Sequence, residues 1–387
     1  MAKIRWRQQV FRLAAILLGM AVLVSLLRRT GASTVIDQVK TVGWGLVLVI
    51  ALGGIAHLTK TLAWRCTFLC DTRDIPFARM FGLRLVSESI GSFGLPGQVL
   101  GETARVHLLG SALPVANSIS SVTLDRGIYI ATAALVSISG ILAALLLVPL
   151  SGNWRLYAFL LAGALTALLV VTGMAIRSRW PVLSSAAKSI ARLPWFKNWL
   201  ESKQSIIESA ESNLLSFHRK APKAFWASLI LNLACHGIAI LEVYLLLYFM
   251  GARAGLLGAL VIEAFTKLIN VVGALNPGNF GTYEAGNMIL TRPLGIAGAA
   301  GLTLGLCRRA RSLFWKTMGL LCLVAMSRST QQARRKSLRV FYKVFCSSWG
   351  SRCAPVRHER TSNVEQPERA NSRIRRAATT SEAIKGT

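Results

Sequence analysis

Apolar residues in this chain gather into long runs divided by short, mostly basic gaps. Leu13–Leu27 carries no charge and follows Lys3, Arg5, Arg7 and Arg12. Val42–Trp64, Ile128–Val148, Leu156–Ile176, Ala224–Met250 and Leu256–Leu275 are further runs near the ~20 residues needed to cross hydrocarbon. The expected fold is all-α: a polytopic membrane helix bundle of about seven to eight helices. Within Val42–Trp64, Gly43, Gly45, Gly53 and Gly54 suit close helix contact, and Trp64-Arg65 reads as an interfacial anchor. His57 and Lys60 fall in its last turns, where a long side chain snorkels to the headgroups.

Two stretches break the pattern. Met80–Leu95 is short, carries Arg84 and Glu88 at i, i+4, and runs into Pro96-Gly97, followed by Gly101, Glu102 and Arg105. Far downstream, Leu256–Leu275 carries Glu263 and Lys267 at the same spacing and runs into Pro277-Gly278, followed by Gly281 and Glu284. Proline removes a backbone donor and glycine accepts left-handed geometry, so each Pro-Gly is expected to break a helix. Broken backbone at membrane depth is tolerated only inside protein or beside a watery cavity. The pair therefore reads as two re-entrant segments forming an inverted repeat around a binding site. Taken singly, each is also compatible with an ordinary interhelical loop.

Composition supports the membrane reading: 53% of the residues are hydrophobic and 16% charged, against about a quarter charged in soluble domains. The net charge of +29 raises nucleic-acid binding. The basic residues lie mostly in the gaps between apolar runs, however, as in cytoplasmic loops facing anionic lipid, so no nucleic-acid partner is expected. The basic 177–223 loop is expected in the cytoplasm with both termini, and its middle, Trp199–His218, as an amphipathic helix on the membrane surface. Segment 283–306 leads to Arg308, Arg309 and Arg311, and Ser312–Met326 is the last hydrophobic segment. Residues 1–327 form one membrane domain. The tail, 328–387, has fourteen Lys/Arg against four Glu and is expected to be largely disordered; a polybasic lipid anchor, an uninformative tail and a gene-model artefact are its three readings.

The seven cysteines show no disulfide or metal framework. No phosphate-binding loop, nucleophile elbow, zinc-protease pair or dinucleotide fingerprint occurs. No enzyme activity, metal or cofactor is expected. The remaining chemistry is intramembrane charge, which is costly unless used. Glu102, Arg105, Asp125, Arg126 and Glu284 are expected to line one polar cavity, able to hold a zwitterionic or cationic headgroup. Arg84, Glu88, Glu263, Lys267 and Arg308 stand as supporting charges, and Arg84–Glu88 and Glu263–Lys267 also read as pairs that merely neutralise each other.

The chain resembles the integral-membrane region of lysylphosphatidylglycerol synthases, a flippase-like family. The resemblance rests on Ala63-Trp64-Arg65, on Leu95-Pro96-Gly97 with Gly101, Glu102 and Arg105, on Asp125-Arg126, and on Asn276-Pro277-Gly278 with Gly281 and Glu284. Asp125 stands where the family more often has Glu, and Asn279-Phe280-Gly281 replaces a Gly-rich run. No soluble aminoacyl-transferase domain accompanies it, so lysine transfer is not implied. What the resemblance implies is translocation of a lipid or lipid-linked amphiphile, with membrane lipids as partners, in the inner cell membrane. A secondary transporter of a small solute or ion, and an accessory subunit of a lipid- or glycan-modifying enzyme, are the alternatives.

Overall fold

In the computed structural model, the described residues run from 32 to 348, apart from 93, 110–112, 150, 182–183, 186–188, 190–203, 274–278 and 280. The run Leu13–Leu27 and the Asn276-Pro277-Gly278 motif thus lie outside them. The chain divides into two units, 1–328 and 329–387. All regular structure among the described residues is helical.

The helices are α1 (Ala32–Val42), α2 (Gly45–Arg65), α3 (Phe77–Gly91), α4 (Gly94–Leu109), α5 (Val115–Leu147) and α6 (Gly152–Arg177). After them come α7 (Gln204–Lys220), α8 (Pro222–Phe249), α9 (Gly255–Gly273), α10 (Thr282–Thr291) and α11 (Gly298–Ser348). Five of them, α2, α5, α6, α8 and α9, are long and apolar enough to cross a membrane. Their outward apolar side chains stay uncovered; in α6 only Ala162 is buried. Such surface is stable only where lipid or protein meets it.

Inside, the apolar residues form separate clusters with a polar stretch between them. Along α2 the order is plain. Val49 joins a cluster with Val243 and Leu246 of α8 and Ile262 of α9, and Trp64 joins another with Met80 and Leu83 of α3 and Val122 of α5. His57 and Lys60 stand between these two positions. Gly53 and Gly54 let α11 approach α2, because an added Cβ would strike Trp315 and Arg311, and the Trp315 indole donates to the Ile50 carbonyl at 2.9 Å. Gly45 similarly faces Phe249, whereas Gly43 serves the turn between α1 and α2 with φ +45°.

Several expectations change. Helix α3 ends at Gly91 and α4 begins at Gly94, so Pro96-Gly97 belongs to the first turn of α4. There proline is tolerated, since its missing N–H would have no intrahelical acceptor. The two limbs run antiparallel: an added Cβ at Gly101 would strike the Ser87 carbonyl, and one at Gly91 would reach the Gln98 Cα. At 15 and 16 residues, each limb is about 23 Å long, short of the hydrocarbon thickness. A second antiparallel hairpin joins α9 to α10, with Gly286 against Ile269 and Thr266 bonded to Asn287 at 3.2 Å.

Arg308, Arg309 and Arg311 do not end a span; they sit within α11, which continues to Ser348, past the start of the expected disordered tail. The amphipathic helix in the 177–223 loop exists as α7, but it spends its apolar face on the protein. Phe217 packs with Leu124 and Ile128 of α5 and Phe225 of α8. Trp64 is fully buried rather than interfacial.

Candidate functional site

Asp125, early in α5, is 2% exposed. Its Oδ2 accepts hydrogen bonds from Arg84 Nη1 of α3 at 2.7 Å and from Arg105 Nη2 of α4 at 3.0 Å. One carboxylate oxygen thus ties both limbs of the first hairpin to the bundle. Arg105 also donates to Glu102 at 2.9 Å and lies 3.9 Å from the ring centre of Trp64, a cation–π contact strengthened by burial. Arg84 reaches Glu88 at only 3.5 Å. Glu88 also gathers Lys60, likewise at 3.5 Å, and His57 at 3.3 Å, so Lys60 turns inward and does not snorkel.

The second hairpin is built from the opposite charges. Glu263 of α9 accepts from Lys267 at 2.6 Å and from Arg308 Nη2 of α11 at 2.8 Å. Glu284 of α10 pairs with Arg309 of α11 and accepts the Gly281 N–H at 2.9 Å. Gly281 has φ +74°, a conformation that side chains resist, so the turn into α10 depends on it. Glu242 of α8 holds Arg311, with Arg308 Nε at 3.4 Å. Glu263, Lys267 and Glu284 each stand 179 positions after Arg84, Glu88 and Arg105. The repeat is therefore present with its signs inverted: arginines on the first hairpin meet an aspartate on the following helix, and glutamates on the second meet arginines on α11. Under this alignment Glu284 corresponds to Arg105, not to Glu102.

These pairs border three cavities of about 440, 230 and 100 Å³ that share wall residues. Lys60 and Lys316 line all three, and Ser92 and Tyr129 line the two larger ones. Glu102, Arg105, Asp125 and Arg126 are brought together in the 230 Å³ cavity, with Arg84 and Glu88. Glu263, Lys267 and Arg308 line the 440 Å³ cavity. Glu284 lines none of the three. It is fully buried behind Tyr283 and Arg309, which face the largest, so the expected five-residue cavity lacks that member. Gly97 is buried in the first turn of α4 and Gly101 is spent on helix contact, and neither lines a cavity. The backbone of Pro96 belongs to the same turn; Pro277 and Gly278 lie outside the described residues.

Nine lysines and arginines line the three cavities against four carboxylates, Glu88, Glu102, Asp125 and Glu263. Each of those four is ion-paired. Arg126 has neutral company, donating to Gln98 at 2.8 Å and lying 5.9 Å from the Tyr129 ring centre. Lys316 has no carboxylate within ion-pair distance among the described residues. The expected carboxylate site for an ammonium group is thus already occupied by arginines, and the uncompensated charge is positive. Lys60, Tyr129, His236, Arg309, Arg311 and Lys316 are wall residues that the sequence reading did not place at the site. The helical spacing of Arg308, Arg311, Ser312 and Lys316 was the signal for α11.

Among the described residues, no group of three or more His, Cys, Asp or Glu side chains could hold a metal ion. What this arrangement can do is desolvate and hold a polar, negatively charged group inside an apolar helix bundle. No curated protein and no solved structure matches the chain. A family model does, over residues 11–318, and with that match, the helical bundle and the paired hairpins, the chain is a multi-pass membrane protein belonging to the lysylphosphatidylglycerol synthase TM region family.

Proposed function

We propose that this protein moves a lipid or lipid-linked amphiphile between bilayer leaflets, without covalent chemistry. The headgroup passes through the connected cavities while the acyl chains stay in the bilayer. The observation that carries the reading is a charged cavity system inside apolar helices, flanked by two hairpins of inverted sign. Intramembrane charges at broken-helix repeats are the sequence and structural mark of a translocation path. The hairpins are gates in this reading, each held by an ion-pair cluster to a neighbouring helix. The protein works in the inner cell membrane, with both termini and the basic 177–223 loop on the cytoplasmic side, where the Lys/Arg excess directs them.

Proteoliposomes carrying the purified full chain and fluorescent lipids of several headgroups test this. Quencher added outside should reach more than the outer-leaflet half of the probe, at a rate rising with protein content. Rates equal to protein-free vesicles for every headgroup would overturn the proposal. Uptake of a soluble solute with no lipid movement would replace it with secondary transport.

A further inference from the structure

We infer that Arg126, Lys60 and Lys316, which together line the 230 Å³ cavity, form a binding site for the phosphate of an anionic lipid headgroup. The inference rests on the proposed translocation reading and names its substrate class. Three observations lead to it.

The first is charge. With Glu242 and Glu284 added from behind the wall, six carboxylates face nine cationic wall residues, a formal excess of three positive charges. Arg126 is exposed and Lys316 half-buried, so both charges are open to an incoming anion, which surroundings less polar than water would hold more strongly. The second is the position of that excess. Arg126 and Lys316 both line the 230 Å³ cavity and are the two cations there with no carboxylate within ion-pair distance among the described residues, while Lys60 shares Glu88 with His57 and Arg84. The Gln98 amide and the Tyr129 hydroxyl add neutral donors on the same wall, the mixture of a cationic fork and hydroxyl or amide donors that phosphate oxygens accept from. Moreover, α4 begins just after Ser92, so the positive end of its dipole lies at this cavity. The third is the state of the carboxylates. All four that line the cavities are paired with arginine or lysine, so the ammonium of a zwitterionic or aminoacylated headgroup would have to compete with those cations for them. A cationic headgroup would instead meet uncompensated positive charge. The two larger cavities also fall, taken together, within the ~300–1,000 Å³ usual for small-molecule sites.

Binding, not movement, tests this. The detergent-solubilised full chain is titrated with fluorescent short-chain phosphatidylglycerol and competed with short-chain phosphatidylcholine, with glycerol 1-phosphate and with inorganic phosphate. Phosphatidylglycerol is expected to bind about tenfold or more tightly than phosphatidylcholine, because the two share the phosphodiester anion and only choline sets a cation against the excess positive charge. Arg126→Gln and Lys316→Gln should each remove most of that preference without lowering the thermal midpoint, and Arg126→Lys should keep part of it. Glycerol 1-phosphate should compete weakly, because the acyl chains supply the rest of the affinity. Equal binding of phosphatidylcholine, or unchanged preference in both variants, would overturn the assignment. Inorganic phosphate binding as tightly as phosphatidylglycerol would make this a solute-anion site and overturn the lipid assignment. A chain that shows the preference but moves no lipid keeps the site and loses the proposed function; one that moves all lipids without preference does the reverse.

Discussion

Replacing Asp125 with Asn keeps the side-chain volume and removes one charge from a position that is 2% exposed. Two guanidinium groups then lose their shared acceptor, at 2.7 and 3.0 Å. Breaking a buried ion pair from one side costs about 3–5 kcal/mol, mostly because the remaining charge is stranded. Here the arginines are not fully stranded. Arg105 keeps Glu102 and the Trp64 face, and Arg84 keeps Glu88 at 3.5 Å. The loss should therefore fall at the lower end, about 3 kcal/mol. At about 2 °C per kcal/mol for a chain of this size, the thermal midpoint in detergent should drop by roughly 6 °C. Being buried, the effect should persist at high salt. Arg84→Met in the Asp125→Asn background should add less than it does in the wild type, with a coupling of about 1–3 kcal/mol. A midpoint change below ~1 °C, with strictly additive variants, would show that Asp125 does not hold the first hairpin.

Glu284→Gln should lower thermal stability by about 3 kcal/mol, because it leaves Arg309 short of its carboxylate; an unchanged midpoint with abolished lipid movement would instead place Glu284 on the ligand. Gly281→Ala, at φ +74°, should cost about 1–2 kcal/mol by the same thermal measurement, and a neutral result would mean that the turn into α10 relaxes freely. Gly54→Leu drives a side chain into Trp315 and should separate α2 from α11, read as a shifted Trp emission spectrum and a loss of about 1–3 kcal/mol; a wild-type spectrum would refute that contact. A cysteine replacing the exposed Ser212 of α7 should react with an impermeant thiol reagent from the cytoplasmic side only, and labelling from the opposite side would invert the topology.

The spans were legible because a run of about twenty apolar residues has few other uses. The i, i+4 pairs were legible too, although Arg84 finds a better partner than the one its spacing suggested. What escaped the sequence had identifiable causes. Pro96-Gly97 looks like a break, but a proline is tolerated in a helix's first turn, so the boundary between α3 and α4 lies ahead of it. Arg308, Arg309 and Arg311 look like the basic end of a span, since nothing local shows that Glu242, Glu263 and Glu284 will meet them. The repeat was sought as like residues in like places, which matched Glu102 with Glu284. The pattern that folds pairs opposites, and its constant offset was visible only once the partners were known. Trp64 reads as an interfacial residue until Arg105 is seen lying on it.

The inverted signs of the two hairpins also set the order in which the membrane domain becomes electrically complete. Synthesis runs from the N-terminus, so Arg84 and Arg105 emerge before the aspartate that unites them, some twenty residues later. Glu242, Glu263 and Glu284 emerge before any of the three arginines of α11, with only Lys267 on hand for Glu263. Each hairpin thus completes its set of ion pairs only when a later helix arrives; until then Arg84 and Arg105 have Glu88 and Glu102 alone. The last of these arrivals, α11, brings arginines to three carboxylates on three earlier helices, so a chain cut short before it would leave all three without them.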